Sequence, residues 1–196
     1  MNYKDTLFLP ETEFSMKANL PVNEPKILEK WKKEKLYEKL RNKLKKNKKF
    51  TLHDGPPYAN GHLHMGHALN KILKDIIVRS KQMQGLDAAF IPGWDCHGLP
   101  IEWEVEQELR KKGDEKKKNS IKEIRNQCRE FAENWIKIQK KEFERFGVLG
   151  DWENYYSTMS YKAEAQIIRE IGKFLLNGSL YKGSRPVMWS VVEKTA

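Results

Sequence analysis

The sequence predicts an α/β fold built on a parallel sheet. Residues 48–55, KKFTLHDG, alternate apolar and polar side chains up to a glycine, which is typical of a short strand. Apolar positions then recur at helical spacing from Met65 to Met83, and Gly85 lies where such a helix would end. AAFIPG at 88–93 indicates a second strand. A strand, a helix and a strand in about forty residues require a right-handed crossover between parallel strands.

The remaining segments indicate helices around this unit. Residues 1–23 show no period and are expected to lie extended, and from Glu24 an apolar stripe predicts one helix that ends in the lysine run at 43–49. Residues 114–182 are interpreted as a helical excursion whose last helix closes near Gly178, and PVMWS at 186–190 suggests another strand. Six positions of the excursion are expected to face the core: Ile121, Ile124, Cys128, Phe131, Trp135 and Ile138.

Composition and charge narrow the classes of protein. The 196 residues are 39% hydrophobic and include 6 Trp, 8 Phe and 7 Tyr, which excludes a disordered tail. No apolar run is long enough to span a membrane and the start does not resemble a secretory signal, so we expect a cytoplasmic protein with no membrane partner. Cys96 and Cys128 are expected to be free thiols. The net charge of +10, concentrated at 43–49 and 110–118, favours a polyanionic partner, although both runs also fit solvated surfaces.

The segment GPPYANGHLHMGH at 55–67 is the strongest candidate for a binding site. In a parallel sheet, ligands bind beyond the carboxyl ends of the strands, where this loop and the loop at 92–99 both emerge. A helix that begins near His64 directs free N–H groups and the positive end of its dipole there, which suits phosphate. His64 and His67 can each offer an N–H to phosphoryl oxygens, and Gly61 and Gly66 permit close approach of the backbone. The turn is therefore interpreted as a site for a nucleoside triphosphate.

Two other interpretations of this turn stay open at the level of sequence. The H-x-x-H histidines, with His62 nearby, could bind zinc, although the nearest further ligands, Cys96 and His97, lie on another loop. Alternatively, the histidines only cap a helix and the glycines only turn the chain. The sequence has neither the G-x-x-x-x-G-K-[ST] loop nor the G-x-G-x-x-G loop of other nucleotide-binding folds.

HMGH at 64–67 resembles the H-I-G-H signature of class I aminoacyl-tRNA synthetases, with Met65 at the apolar second position. Four segments extend the resemblance across the chain: YKDTLFLP at 3–10, NLPVNEPKILEKW at 19–31, HDGPPYANGHLHMGHALNKILKDII at 53–77 and PGWDCHGLPIE at 92–102. Together they are similar to bacterial isoleucyl-tRNA synthetases. The resemblance implies that isoleucine and ATP form isoleucyl-adenylate, and that the isoleucyl group then passes to tRNA(Ile).

The resemblance also implies roles for residues of both loops. His64 and His67 are the expected catalytic residues, which contact the phosphates and stabilise the transition state. The expected ATP-binding residues are Asn60, Gly61, His64, Met65, Gly66 and His67. On the amino-acid side, Asp95 is expected to bind the ammonium group, although an acid here also fits a surface or helix-capping position. Gly55 and Pro56 are expected to line the side-chain pocket, and Trp94 is either a ligand contact or a core anchor.

The resemblance further implies an organisation into two parts. These are an N-terminal extension and helix at 1–47 and the first half of a Rossmann-like catalytic domain at 48–196, which would stop near the start of an editing insertion. The expected partners are isoleucine, ATP and tRNA(Ile), with Mg²⁺ in the full enzyme and no zinc in this segment. The full enzyme is expected to be a monomer, and this segment alone to be inactive. The alternative is a non-catalytic derivative that binds a nucleotide or nucleic acid.

Overall fold

The computed structural model describes residues 3–8, 12, 13, 15–111, 120–192 and 194–196, so most of the charge run at 110–118 lies outside the described residues. A 3₁₀ helix at Tyr3–Thr6 precedes eight elements, which are α1 Leu20–Lys33, α2 Leu36–Leu44, α3 Met65–Met83, β1 Gly93–Trp94, α4 Leu99–Lys111, α5 Ile121–Arg145, β2 Tyr156–Ser157 and α6 Tyr161–Leu176. Each helix in these ranges is too short or too polar to cross a membrane. The chain divides into two compact units.

The first unit comprises Met1–Asp54, His62–Pro92 and Lys137–Asn154. The single helix predicted before the lysine run is in fact two helices, because Lys35 adopts a left-handed conformation with φ 52° between α1 and α2. The N-terminal segment expected to be extended also contains the 3₁₀ helix and the start of α1. Pro21 explains the early start, since its fixed φ favours the first turn of a helix.

α3 confirms the helix predicted after the histidine turn. It begins directly after His64, and Gly85 follows its end with the positive φ of 84° that closes a helix. The side chains that α3 buries are not those of its apolar stripe but four others: Ala68, Lys71, Val78 and Gln82. The stripe stays open to solvent, with Met65 83% and Leu69 62% exposed. This face of α3 therefore has no cover among the described residues.

Parallel pairing is present, but the strands are shorter than predicted. In the first unit, Lys49 and Asp87 form a single parallel bridge, and Phe50 N–H donates to Asp87 O at 3.1 Å. The parallel direction expected for the segments at 48–55 and 88–93 is thus confirmed. The predicted length of both strands is wrong. Alternating side chains favour extended backbone, but a ladder also needs a neighbouring strand at each residue.

The second unit comprises Gly55–Gly61, Gly93–Ile136 and Tyr155–Ala196. Its β1 and β2 pair in parallel, and one further parallel bridge joins Tyr58 to Asp95. The second predicted strand is therefore shifted, because β1 begins only at Gly93, the last residue of the predicted segment. Both cysteines belong to this unit and are free thiols, as predicted.

The helical excursion at 114–182 is confirmed in its described part by α5 and α6, although the short β2 lies between them and α5 buries other positions than expected. α5 leaves Ile121 74% exposed and the rest of the expected core stripe half-buried. The positions that it buries are Ala132, Ile136, Gln139 and Phe143. The polar Gln139 thus occupies a core position that hydrophobic patterning assigns to the surface. The strand expected at 186–190 is wrong, since within the described chain this segment forms only an isolated antiparallel bridge from Ser190 to Thr195, and Met188 is 92% exposed. α6 ends just before Gly178, whose φ is 79°, as predicted.

Candidate functional site

Two histidine side chains close the N-terminal turn of α3. His64 is the N-cap residue, and its Nδ1 accepts a hydrogen bond from Gly66 N–H at 3.0 Å. His67 reaches back, so that its Nδ1 accepts the N–H of His64 at 3.3 Å. The ring centroids lie 3.9 Å apart. The two imidazoles form a reciprocal capping box, in the place where a hydroxyl and a carboxylate usually stand. We refer to residues 64–67 as the histidine cap.

This bonding fixes which ring nitrogens carry protons. Each Nδ1 accepts a backbone N–H and must present a lone pair, so the proton of each neutral imidazole resides on Nε2. Burial lowers the pKa of His67, and the charges of His64 and Lys71 lower it further, which favours the neutral ring at pH 7. Neither Nε2 has a hydrogen-bond partner among the described residues. Capping the helix and donating to phosphate are therefore compatible roles for the same side chains.

Gly66 is required by the histidine cap itself. A Cβ at this position would lie 2.9 Å from Cε1 and 3.0 Å from Nδ1 of His64, closer than such atoms normally approach. The sequence suggested only that a ligand needs close access to the backbone here, and the structure adds the need to seat the His64 ring. Gly61 differs, because nothing in the described chain lies within 4 Å of a Cβ built there.

A carboxylate of α5 anchors the chain just before the histidine cap. Glu142 Oε2 accepts Leu63 N–H at 3.0 Å, and Glu142 Oε1 lies 2.5 Å from His62 Nδ1. Because Glu142 is eighty positions from His62, no local sequence pattern connects them. Within the described ranges, no three His, Cys, Asp or Glu side chains form a group that could hold a metal ion.

Asp95 lies in the second unit, where backbone pairing holds it in place. Its N–H donates to Pro57 O at 2.8 Å, and its carbonyl accepts Ala59 N–H at 3.0 Å. Its carboxylate accepts the hydroxyl of Thr158 at 3.2 Å, and that hydroxyl accepts the N–H of Cys96 at 2.8 Å. No lysine or arginine of the described chain pairs with this half-buried carboxylate. Asp95 is therefore available to bind a cation, and Thr158 is a supporting residue that sequence patterns did not indicate.

The expected site residues divide between the two units. The first unit holds the four of the histidine cap, which are His64, Met65, Gly66 and His67. The second unit holds six expected site residues, which lie in or beside the segments that pair at Tyr58 and Asp95. They are Gly55, Pro56, Asn60, Gly61, Trp94 and Asp95. Trp94 is fully buried, and its ring stands edge-on to that of Tyr155 with 5.0 Å between centroids. That arrangement is typical of a core anchor.

An H-x-G-H cap on an α/β fold with parallel pairing is the combination expected of a class I synthetase. The family model described as tRNA synthetases class I (I, L, M and V) matches residues 26–196. The chain belongs to this family.

Within the family, the chain is similar to proteins named isoleucine–tRNA ligase. It is 62% identical over 193 residues to that of Pelagibacter ubique, which covers 98% of this chain and 21% of the relative. It is 60% identical over 194 residues to that of Ruegeria pomeroyi, which covers 99% of this chain and 20% of the relative. The chain therefore spans about a fifth of the length of these relatives.

Among solved structures, the chain is similar to the LeuRS of Agrobacterium radiobacter K84 in its LeuRS–tRNA–LeuAMS ternary complex. The TM-score is 0.67 at 23% sequence identity, and the match covers 91% of this chain and 20% of that chain. At this identity the likeness shows the fold. It agrees with the α/β class that the sequence predicts.

Proposed function

We propose that the chain is part of an isoleucine–tRNA ligase that uses ATP to form isoleucyl-adenylate and then transfers the isoleucyl group to tRNA(Ile). Its family and its relatives named isoleucine–tRNA ligase support this proposal. The observation that carries it is the histidine cap, which offers two Nε2–H donors at a helix N-terminus. Identity of 62% to a ligase favours this function over a non-catalytic derivative.

In the proposed reaction, the isoleucine carboxylate attacks the α-phosphorus of ATP and pyrophosphate leaves. This step needs no nucleophile from the protein, so catalysis rests on positioning and on stabilising charge at the phosphoryl oxygens. We assign that role to His64 and His67, because backbone N–H groups already orient both rings. The proposed ATP-binding set adds four neighbouring residues, which are Asn60, Gly61, Met65 and Gly66.

On the amino-acid side, we assign the ammonium group of isoleucine to Asp95. Support comes from its carboxylate, which is held by Thr158 and has no cationic partner among the described residues. Gly55 and Pro56 are proposed to line the pocket for the branched side chain, since neither brings a polar side-chain atom. Trp94 is proposed to support this site from the core, in line with its burial.

Further parts of the proposal rest on the family and on charge. The net charge of +10 suits tRNA(Ile) as a partner. Mg²⁺ would accompany ATP, but the histidine cap has no carboxylate and no acidic cluster of the described chain fits the ion, so no protein ligand is assigned to it. We retain the proposed division into 1–47 and 48–196, and a cytoplasmic, monomeric enzyme without a membrane partner.

A chimeric ligase tests the proposal. This chain replaces the matching segment of the Pelagibacter ubique isoleucine–tRNA ligase, and isoleucine-dependent exchange of pyrophosphate into ATP is measured. Exchange is expected in the parent chimera, and His64→Ala or His67→Ala is expected to lower its rate by about 10²–10³-fold. Lys81→Ala, at the other end of α3, is the control. Undiminished exchange in both histidine variants would contradict the catalytic assignment, and equal exchange with another amino acid would contradict the substrate.

A further inference from the structure

The core of the first unit contains a charge cluster that the proposed chemistry does not use. Asp54, which is 1% exposed, binds the ammonium group of Lys71, which is 2% exposed. The other carboxylate oxygen of Asp54 accepts Lys74 Nζ at 2.6 Å. We refer to Asp54, Lys71 and Lys74 as the lysine–aspartate cluster.

Stability alone is a poor explanation for the lysine–aspartate cluster. Moving a carboxylate and an ammonium out of water is so costly that well-packed apolar side chains often serve equally well in the same place. The rings of Phe90 and Phe143 offset part of that cost, since their centroids lie 5.4 Å and 5.0 Å from Lys71 Nζ. A role beyond stability is therefore indicated for Lys71.

Lys71 is placed to act on the histidine cap. It follows His67 by one helical turn, so the two residues are neighbours on α3. The charge of Lys71 is one of three causes that lower the pKa of His67, after burial and the charge of His64. A neutral His67 is a condition for the cap, because only an unprotonated Nδ1 can accept the N–H of His64.

Asp54 allows Lys71 to carry its charge inside the core. Burial lowers the pKa of the Lys71 ammonium, and both the charge of Asp54 and its hydrogen bond oppose that lowering. Asp54 thus acts on the histidine cap through Lys71.

We propose that Asp54 and Lys71 are positioning residues, in which Asp54 anchors the charged Lys71 and Lys71 holds His67 in the form that closes the histidine cap. This inference rests on the proposed function, since the cap is what would receive the phosphates. The groups whose charge acts on His67 are Lys71 in the next turn and, when its ring is protonated, His64 in its own turn. From the other elements, Asp54 faces Lys71, and Glu142 of α5 binds the chain just before the cap.

NMR of the 196-residue chain tests the positioning role without a ligand. A pH titration gives the protonation midpoint of the His67 ring, and amide exchange gives the protection of His64 N–H. Lys71→Met is expected to raise the His67 midpoint and to lose protection of His64 N–H near pH 6, with recovery at about pH 8. Asp54 keeps Lys74 as a partner in this variant, so no buried anion is left unpaired.

Lys74→Met is the matched control, because it removes an ammonium from the same carboxylate and leaves the pair of Asp54 and Lys71 in place. We expect it to change neither reading. An unchanged His67 midpoint in Lys71→Met would overturn the proposal. An equal loss of His64 N–H protection at both pH values would do so too, since a merely structural role predicts a loss that does not depend on pH.

A double variant covers the case in which Lys71→Met fails to fold. Asp54→Leu with Lys71→Met replaces the ion pair by apolar side chains, and the same upward shift of the His67 midpoint is expected. An unchanged midpoint in the folded double variant would overturn the proposal. Titration with inorganic pyrophosphate separates the two proposals, because failure of the wild-type chain to bind it at the histidine cap contradicts the proposed function, while the midpoints still decide the positioning role.

Discussion

Gly66→Ala tests whether the histidine cap depends on the missing side chain at this position. The added Cβ would lie 2.9 Å from Cε1 and 3.0 Å from Nδ1 of His64. Because Gly66 N–H also donates to that Nδ1, any shift of the ring away from the added Cβ lengthens and weakens the hydrogen bond. We therefore expect the His64 ring to leave its position and to lose its fixed tautomer.

The expected change in stability is small, because two effects of similar size oppose each other. Loss of an N-cap hydrogen bond costs about 1 kcal/mol, and alanine in place of glycine in a helix contributes about 1 kcal/mol. For a chain of this length, about 1 kcal/mol corresponds to a change in Tm of about 2–4 °C, so Gly66→Ala should stay within that range of the wild type.

Thermal unfolding by circular dichroism, together with long-range ¹H–¹⁵N NMR of the histidine rings, measures both consequences. Gly172→Ala in α6 is the matched control, because nothing lies within 4 Å of its added Cβ in the described chain. In that control, the higher helix propensity of alanine should stabilise the chain without an opposing loss and raise Tm by about 2–4 °C. A Tm gain in Gly66→Ala equal to that of Gly172→Ala, with the His64 ring still protonated at Nε2, would show that the histidine cap does not depend on Gly66.

Three further outcomes are expected. Glu142→Gln removes the charged acceptor of Leu63 N–H, so Tm should fall by about 2 °C in a thermal melt, and an unchanged Tm would argue against an anchoring role. Gly93→Ala places a Cβ 2.1 Å from the Tyr156 ring and should cost about 1–3 kcal/mol in urea unfolding, whereas a neutral result would contradict the close packing of β1 on β2. Because the pKa of His67 is lowered in the folded chain, the stability that it contributes is present above about pH 6.5 and is lost as pH falls through the folded pKa. The decrease in Tm from about pH 7.5 to pH 5 should thus be smaller in His67→Asn, and an equal decrease would count against this linkage.

Local signals in the sequence predicted the central element of the site well. The start of α3 directly after His64 and its closure at Gly85 follow from an N-capping side chain and a glycine with positive φ, both of which act within one turn. The capping box formed by the two histidines is also local, because it joins residues three positions apart, as in the H-x-x-H motif. Its consequence for the ring tautomers needed the geometry, because the spacing does not show which nitrogen faces the backbone.

The supporting residues could not be predicted, since tertiary packing brings them to the site. Glu142 lies eighty positions from its partner His62 in the sequence. Thr158 lies 63 positions from its partner Asp95. Asp54 and Lys71 look like surface residues in the sequence, and only their burial shows that they belong to the core. The predicted strands are longer than the observed ones for a related reason. An alternating pattern carries no information on whether a neighbouring strand is present.

Titration of the 196-residue chain with millimolar ATP, followed by long-range ¹H–¹⁵N NMR of the histidine rings, shows whether the histidine cap binds phosphate through its two Nε2–H groups. We expect the Nε2 signals of His64 and His67 to shift together and saturate, while their Nδ1 signals keep the positions of hydrogen-bond acceptors. Protonation of either Nδ1 in the free chain, or shifts confined to other histidines on addition of ATP, would contradict this expectation.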